Sequence, residues 1–270
     1  MNAFVTRRFF LLLALALLSV ISAEAQIVTK SIEYKDGATV LRGYLAYDST
    51  RVGSRPGVLL VHEWWGHNEY IQKRARDYAA QGYLAFAVDM YGADQQGVTV
   101  AEASALSKPF YDDRNLMRNR ARAGLTAFIS AAKEAGQHLD AHRISALGYC
   151  FGGTVALELA RSGAPVRSTV VFHGGLGTPD RNLAKKIKGS ILVLNGADDP
   201  MVPAEERNQF MQEMRDGGVD WQFVEYGGAL HAFSNPAVDE KGIPGARYNK
   251  RADDRSFALS CAYLAEQLAG

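Results

Sequence analysis

The sequence predicts an α/β fold, with a mainly parallel central sheet and helices on both faces. Short, continuous apolar runs recur along the chain, as strands buried on both faces require. Helix-like segments alternate with those runs. No internal repeat, low-complexity tract or Pro/Gly/Ser linker divides the chain, so residues 26–270 read as one domain.

Residues 1–25 read as a signal peptide. Arg7 and Arg8 form a basic start, Phe9 to Ile21 is apolar apart from Ser19, and Ala23-Glu24-Ala25 supplies a small-x-small cleavage pattern. The apolar stretch is shorter than the roughly 20 residues that span a bilayer. The expectation is cleavage after Ala25, a periplasmic or secreted chain, and no stable membrane span afterwards.

Ile32 to Tyr34 and Val40 to Tyr47 are β-prone runs around Lys35-Asp36-Gly37, a hairpin at one sheet edge. Val58 to Val61, Leu84 to Val88, Ile144 to Leu147, Ser168 to Phe172, Ile191 to Leu194 and Gln222 to Tyr226 then read as buried strands. Between and after them, Glu69 to Gln81, Tyr111 to Ala135, Thr154 to Arg161, Glu205 to Arg215 and Asp254 to Leu268 read as helices. Gly82 and Gly136 stand where C-terminal caps fall.

Composition narrows the function. With 30 Lys+Arg against 29 Asp+Glu, the chain carries no basic field for nucleic acid. Two Cys cannot staple a small fold, and 47% hydrophobic residues exclude disorder. The spacing of His62, Glu63 and His67 is not that of a zinc-protease helix, and no Cys pair has zinc spacing, so no metal is expected. The glycines near Cys150 form neither a dinucleotide fingerprint nor a phosphate loop, and no cofactor is expected.

Sheets of this kind carry their chemistry at the carboxyl ends of the strands. There the sequence reads Gly148-Tyr149-Cys150-Phe151-Gly152-Gly153, a G-x-nucleophile-x-G elbow with Cys as nucleophile. A nucleophile on a sharp strand-to-helix turn needs small neighbours two residues either side. The following helix favours a thiolate at its N-terminus, and Phe151 N–H stands where an oxyanion would develop. The plain alternative is a Gly-rich loop beside a buried, inert Cys. A thiol also needs a base and an orienter. His231 follows the Gln222–Tyr226 strand, and Asp198 and Asp199 follow Ile191–Leu194, giving the chain order Cys, Asp, His.

Together with the elbow, His62-Glu63-Trp64-Trp65-Gly66, Val88-Asp89-Met90-Tyr91-Gly92 and Gly228-Ala229-Leu230-His231-Ala232-Phe233 resemble the dienelactone hydrolase family, in order, from about residue 31 onward. The resemblance implies an α/β-hydrolase fold and a Cys-His-Asp triad hydrolysing esters or lactones. It selects Asp199, immediately before Pro200-Met201-Val202-Pro203, over Asp198. It implies that Glu63 hydrogen-bonds the resting thiol, which would spare it oxidation, and that Trp64 supplies the second oxyanion-hole N–H. The alternative for Glu63 is a helix cap near Asn68. In family members that act on dienelactone, two Arg bind the substrate carboxylate; those positions are Ala93 and Asn235 here. Losing both weakens carboxylate recognition. Trp64, Trp65, Tyr91 and Phe233 point instead to an aromatic pocket for a less charged ester, or to packing at the sheet edge.

Other residues read as structural. Cys261 is a small core residue of the last helix, since a disulfide to Cys150 would consume the nucleophile. His62 and His173 are positioning or packing groups, His138 and His142 surface loop residues, and Arg114, Arg118 and Arg122 a solvated helix face. The expected partner is a small ester or lactone. Rival readings are a thioesterase, acyltransferase or peptidase on the same triad, or a non-catalytic binding protein on a hydrolase scaffold.

Overall fold

The computed structural model describes residues 25–270; the signal-peptide expectation falls almost entirely outside them. Among these residues eight strands form one sheet: β1 (Ile27–Asp36), β2 (Thr39–Asp48), β3 (Arg55–Val61), β4 (Leu84–Val88), β5 (Leu139–Tyr149), β6 (Ser168–Phe172), β7 (Ser190–Gly196) and β8 (Trp221–Tyr226). Their spatial order is β1-β2-β4-β3-β5-β6-β7-β8. The β1–β2 hairpin joins β4 antiparallel, and every pairing from β4 to β8 is parallel. Apolar residues occupy both faces of the central strands: Leu59 and Val61 enter one core, Val58 and Leu60 the other.

Among the described residues six α-helices cover the sheet: α1 (Glu69–Ala80), α2 (Val100–Asp112), α3 (Arg114–Glu134), α4 (Phe151–Arg161), α5 (Ala204–Gly217) and α6 (Lys250–Gln267). Ile71 and Tyr78 of α1 share a core with Tyr263 and Leu264 of α6. Phe128 of α3, Val155 of α4 and Phe210 of α5 fill the opposite face. The topology is that of the α/β-hydrolase fold.

Two expectations require correction. The helix expected over 111–135 is two helices, broken at Asp113. The Asp113 carboxylate accepts the Asn115 and Leu116 N–H groups and so starts α3 afresh. Ahead of it, α2 opens with a capping box in which the Thr99 side chain and Glu102 reciprocally satisfy backbone N–H groups. Secondly, Arg118 is not a solvated residue. Its guanidinium donates to Glu158 Oε2 at 2.8 Å through Nε, and Arg161 donates to the other oxygen at 3.0 Å. The face carrying Arg118 therefore packs on α4. His138 and His142 are exposed as expected, although His142 lies within β5 rather than a loop.

Candidate active site

The site lies at the carboxyl ends of β3, β5, β7 and β8. β5 ends at Tyr149 and α4 begins at Phe151, leaving Cys150 as the whole connection. Its backbone has φ 53° and ψ −119°, a conformation costing about 1–3 kcal/mol for a side-chain-bearing residue. Local packing enforces the turn. A Cβ on Gly148 would overlap the Gly152 carbonyl oxygen, and one on Gly152 would overlap that of Val61. Cys150 N–H donates to Phe172 O at 3.0 Å, and Cys150 O accepts Gly153 N–H at 2.9 Å. The sulfur is thus held at the N-terminus of α4, where the helix dipole favours negative charge.

His231 follows β8 on a loop pinned on both sides, its N–H donating to Gly245 O at 3.1 Å and its carbonyl accepting Arg247 N–H at 3.0 Å. Its Nε2 stands 3.1 Å from Cys150 Sγ and its Nδ1 2.9 Å from Asp199 Oδ2. Asp199 Oδ1 accepts Met201 N–H at 2.8 Å, so both carboxylate oxygens are occupied. Asp198, one residue earlier, points to solvent. Burial alone would pull the His231 pKa down. The charges on Cys150 and Asp199, with their hydrogen bonds, outweigh it and lift the imidazole to about 10. A proton on Nε2 is thereby retained facing the sulfur.

Glu63 lines the same cavity but is not bonded to the thiol. Its Oε2 accepts from Asn235 Nδ2 at 2.5 Å, and its buried Oε1 has no partner among the described residues. The thiol's partner is instead His231. Nor does Glu63 cap α1, since the Asn68 side chain takes that place. Burial raises the Glu63 pKa to about 7, against the opposing pull of the Asn235 hydrogen bond.

Neither Phe151 N–H nor Trp64 N–H has a hydrogen-bond acceptor among the described residues. Phe151 stands at the first position of α4 and Trp64 just beyond β3, and both border the cavity containing Cys150.

The cavity holds about 390 Å³ and is lined by Trp64, Trp65, Tyr111, Met201, Val202, Val238 and Ile243 besides the residues above. Tyr91 and Phe233, expected in its wall, are not. The Asp89 carboxylate accepts the Tyr91 and Gly92 N–H groups at 2.9 and 3.0 Å, turning the Tyr91 ring behind the wall. From there its hydroxyl donates to Trp64 O at 3.1 Å. Ala232 adopts φ 54°, which sends the Phe233 ring inward against His173 and Tyr226. Conversely, Ser104, Ser107, Lys108 and Tyr111 of α2 line the cavity unforeseen; the Thr99-x-x-Glu102 capping signal would have revealed the helix but not its face. Ala93 lies outside the lining, its N–H donating to Val40 O at 2.9 Å.

His173, fully buried, accepts a second hydrogen bond from Cys150 N–H at Nδ1 (3.2 Å) and meets Ser234 Oγ at Nε2 (2.7 Å). Cys150 and Cys261 are both free thiols. Among the described residues, no three His, Cys, Asp or Glu side chains converge to hold a metal, and no helix is long and apolar enough to cross a membrane.

Comparison with known proteins identifies the family to which this fold belongs. A solved dienelactone hydrolase-like promiscuous phosphotriesterase from metagenomic libraries is 39% identical, with a TM-score of 0.84 over 90% of this chain and 99% of its own. Protein usf of Aquifex pyrophilus is 26% identical over 240 residues, covering 88% of this chain and 98% of its own. A Bradyrhizobium sp. protein named "Probable 2-oxo-3-(5-oxofuran-2-ylidene)propanoate lactonase" is 28% identical, covering 76% of this chain and 85% of its own. Residues 41–268 match the dienelactone hydrolase family, so the chain belongs to that family of α/β-hydrolases and is a hydrolase of its kind.

Proposed function

We propose that the protein is an exported hydrolase that cleaves small, weakly charged esters or lactones through a Cys150-His231-Asp199 triad. The observation that carries this reading is Cys150 Sγ, 3.1 Å from His231 Nε2 at a helix N-terminus, opening onto an apolar cavity.

The Cys150 thiolate attacks the carbonyl carbon and forms a C–S bond. The oxyanion accepts from the N–H groups of Phe151 and Trp64. As the tetrahedral intermediate collapses, the C–O bond breaks and His231 Nε2–H protonates the departing alkoxide. Water then attacks the thioester, His231 takes its proton, and the acid leaves as the thiolate is regenerated. Asp199 holds His231 in the Nδ1–H tautomer throughout.

The preference for uncharged substrates follows from the lining. Lys108 is the only Lys or Arg in the wall, and its ammonium pairs with Asp112 at 2.5 Å. The inner end instead presents the Glu63 carboxyl, with Asn235 already engaged by it. Above about pH 7, where Glu63 ionises, a substrate carboxylate would meet a like charge there. Export is supported by the basic-apolar-small pattern of residues 7–25.

The test is a panel of neutral aryl esters, lactones and lactone carboxylates, run with wild type and Cys150→Ala. It should include a neutral phosphotriester, because the solved relative is described as a promiscuous phosphotriesterase. Neutral esters should turn over faster than carboxylate-bearing ones, and Cys150→Ala should lose turnover while remaining folded. Wild-type rates in that variant would refute the mechanism.

A further inference from the structure

The Glu63–Trp64 peptide lies in the connection between β3, which ends at Val61, and α1, which starts at Glu69. No sheet or helix ladder orients it. Fully buried His62 stands beside it. His62 Nε2 lies 3.2 Å from Met90 N, and an amide N–H can only donate, so Nε2 carries the lone pair. The proton is therefore on Nδ1, which donates to Glu63 O at 2.6 Å. Gly66 N–H joins on the same oxygen at 3.1 Å.

In a trans peptide the C=O and N–H point in opposite directions. Drawing Glu63 O toward the imidazole thus turns Trp64 N–H to the opposite side, and Trp64 borders the cavity shared with Cys150. The ring itself is fixed edge-on to Tyr91, with centroids 4.8 Å apart, and stacked on Phe151 at 6.0 Å. We propose that His62, as the neutral Nδ1–H tautomer, is a positioning residue that aims the Trp64 N–H at the oxyanion and so accelerates acyl transfer without touching substrate. This rests on the Cys150 acyl-enzyme reading above. Burial holds the ring's pKa down to about 4, so the tautomer persists across neutral pH.

A pair of substitutions separates this role from simple packing. The amide nitrogen of Asn lies as many bonds from Cβ as imidazole Nδ1, and the terminal amide of Gln as many as Nε2. His62→Asn can therefore keep the donor to Glu63 O, whereas His62→Gln can keep only the acceptor for Met90 N–H. Each purified variant is assayed for kcat and KM on a neutral aryl ester and for the rate of Cys150 alkylation by iodoacetamide. Alkylation displaces iodide from a tetrahedral carbon and forms no oxyanion, so it needs the thiolate but not Trp64 N–H.

The expected result for His62→Gln is a kcat lower by ~10- to 100-fold, somewhat less than the loss of an oxyanion donor itself, with KM and alkylation little changed. His62→Asn should recover most of the lost kcat. Equal losses in the two variants, unchanged kcat in both, or alkylation falling in step with turnover would overturn the proposal. ¹⁵N NMR of wild-type His62 provides a readout that needs no variant: a proton on Nδ1 is expected, and one on Nε2 overturns it. A wild-type enzyme that resists iodoacetamide would instead count against the Cys150 reading.

Discussion

Two buried carboxyl groups stand on either side of the Cys150–His231 pair, and their surroundings differ. Asp199 accepts from His231 with one oxygen and from Met201 N–H with the other. Glu63 accepts only from the neutral Asn235 amide and leaves Oε1 without a partner among the described residues. A buried charge is tolerated when it is paired and hydrogen-bonded. The Asp199 side is accordingly built to hold charge, and against the pull of burial it adds to the larger effect of the Cys150 charge in raising His231 to about 10. The Glu63 side resists charge, and its pKa rises to about 7. Chemical type alone assigns neither role; the partners do.

The largest expected effect comes from Asp199→Asn, which makes the two flanks alike. Met201 N–H would hold the amide oxygen, leaving the amide NH2, a donor, facing His231 Nδ1 and favouring the wrong tautomer, and kcat should fall by ~10³-fold or more. His231 should also lose part of its raised pKa. Its charged form contributes stability that is fully present below the ordinary value of 6.5 and lost as pH rises through about 10. In Asp199→Asn that loss should begin at lower pH, as thermal unfolding across pH 6–11 would reveal. An unchanged profile would mean the pairing does not control the imidazole.

Glu63→Gln tests the other flank, with a smaller effect. The native state holds the Glu63 proton up to about pH 7, whereas the unfolded chain releases it near 4.5. Wild-type stability should therefore fall as pH rises between those values and then level off. The Gln variant, which keeps an acceptor for Asn235, should lack this component. Identical denaturation profiles in wild type and variant would sink the claim that Glu63 is held neutral by burial.

The smallest effect concerns the wall. Tyr111→Ala removes an aromatic contact from the cavity wall without touching Cys150, His231 or Asp199, so KM for aryl esters should rise several-fold while iodoacetamide alkylation of Cys150 stays unchanged. A proportional loss of alkylation would place Tyr111 in the reactive machinery instead.

What the sequence made legible follows from how far apart the determinants lie. The elbow is written in six contiguous residues, Gly148 to Gly153, and its steric logic is local. The parallel strands were legible because burial on both faces leaves uninterrupted apolar runs such as Leu84–Val88. The Glu63–Asn235 contact joins residues 172 apart, which no local pattern encodes. Tyr91 and Phe233 were aromatic at plausible positions, but turn geometry set by Asp89 and by the φ of Ala232 decided where their rings went. α2 was hidden because Pro109, in its last turn, reads as a helix breaker.

The most direct test is to quench turnover of an activated aryl ester in acid and weigh the peptide containing Cys150. This peptide should gain the mass of the acyl group, lose it as deacylation proceeds, and never gain it in Cys150→Ala. Acyl mass on another residue, or ester turnover by the wild type with no acyl group found on Cys150 either there or in a His231→Ala variant that deacylates slowly, would contradict it.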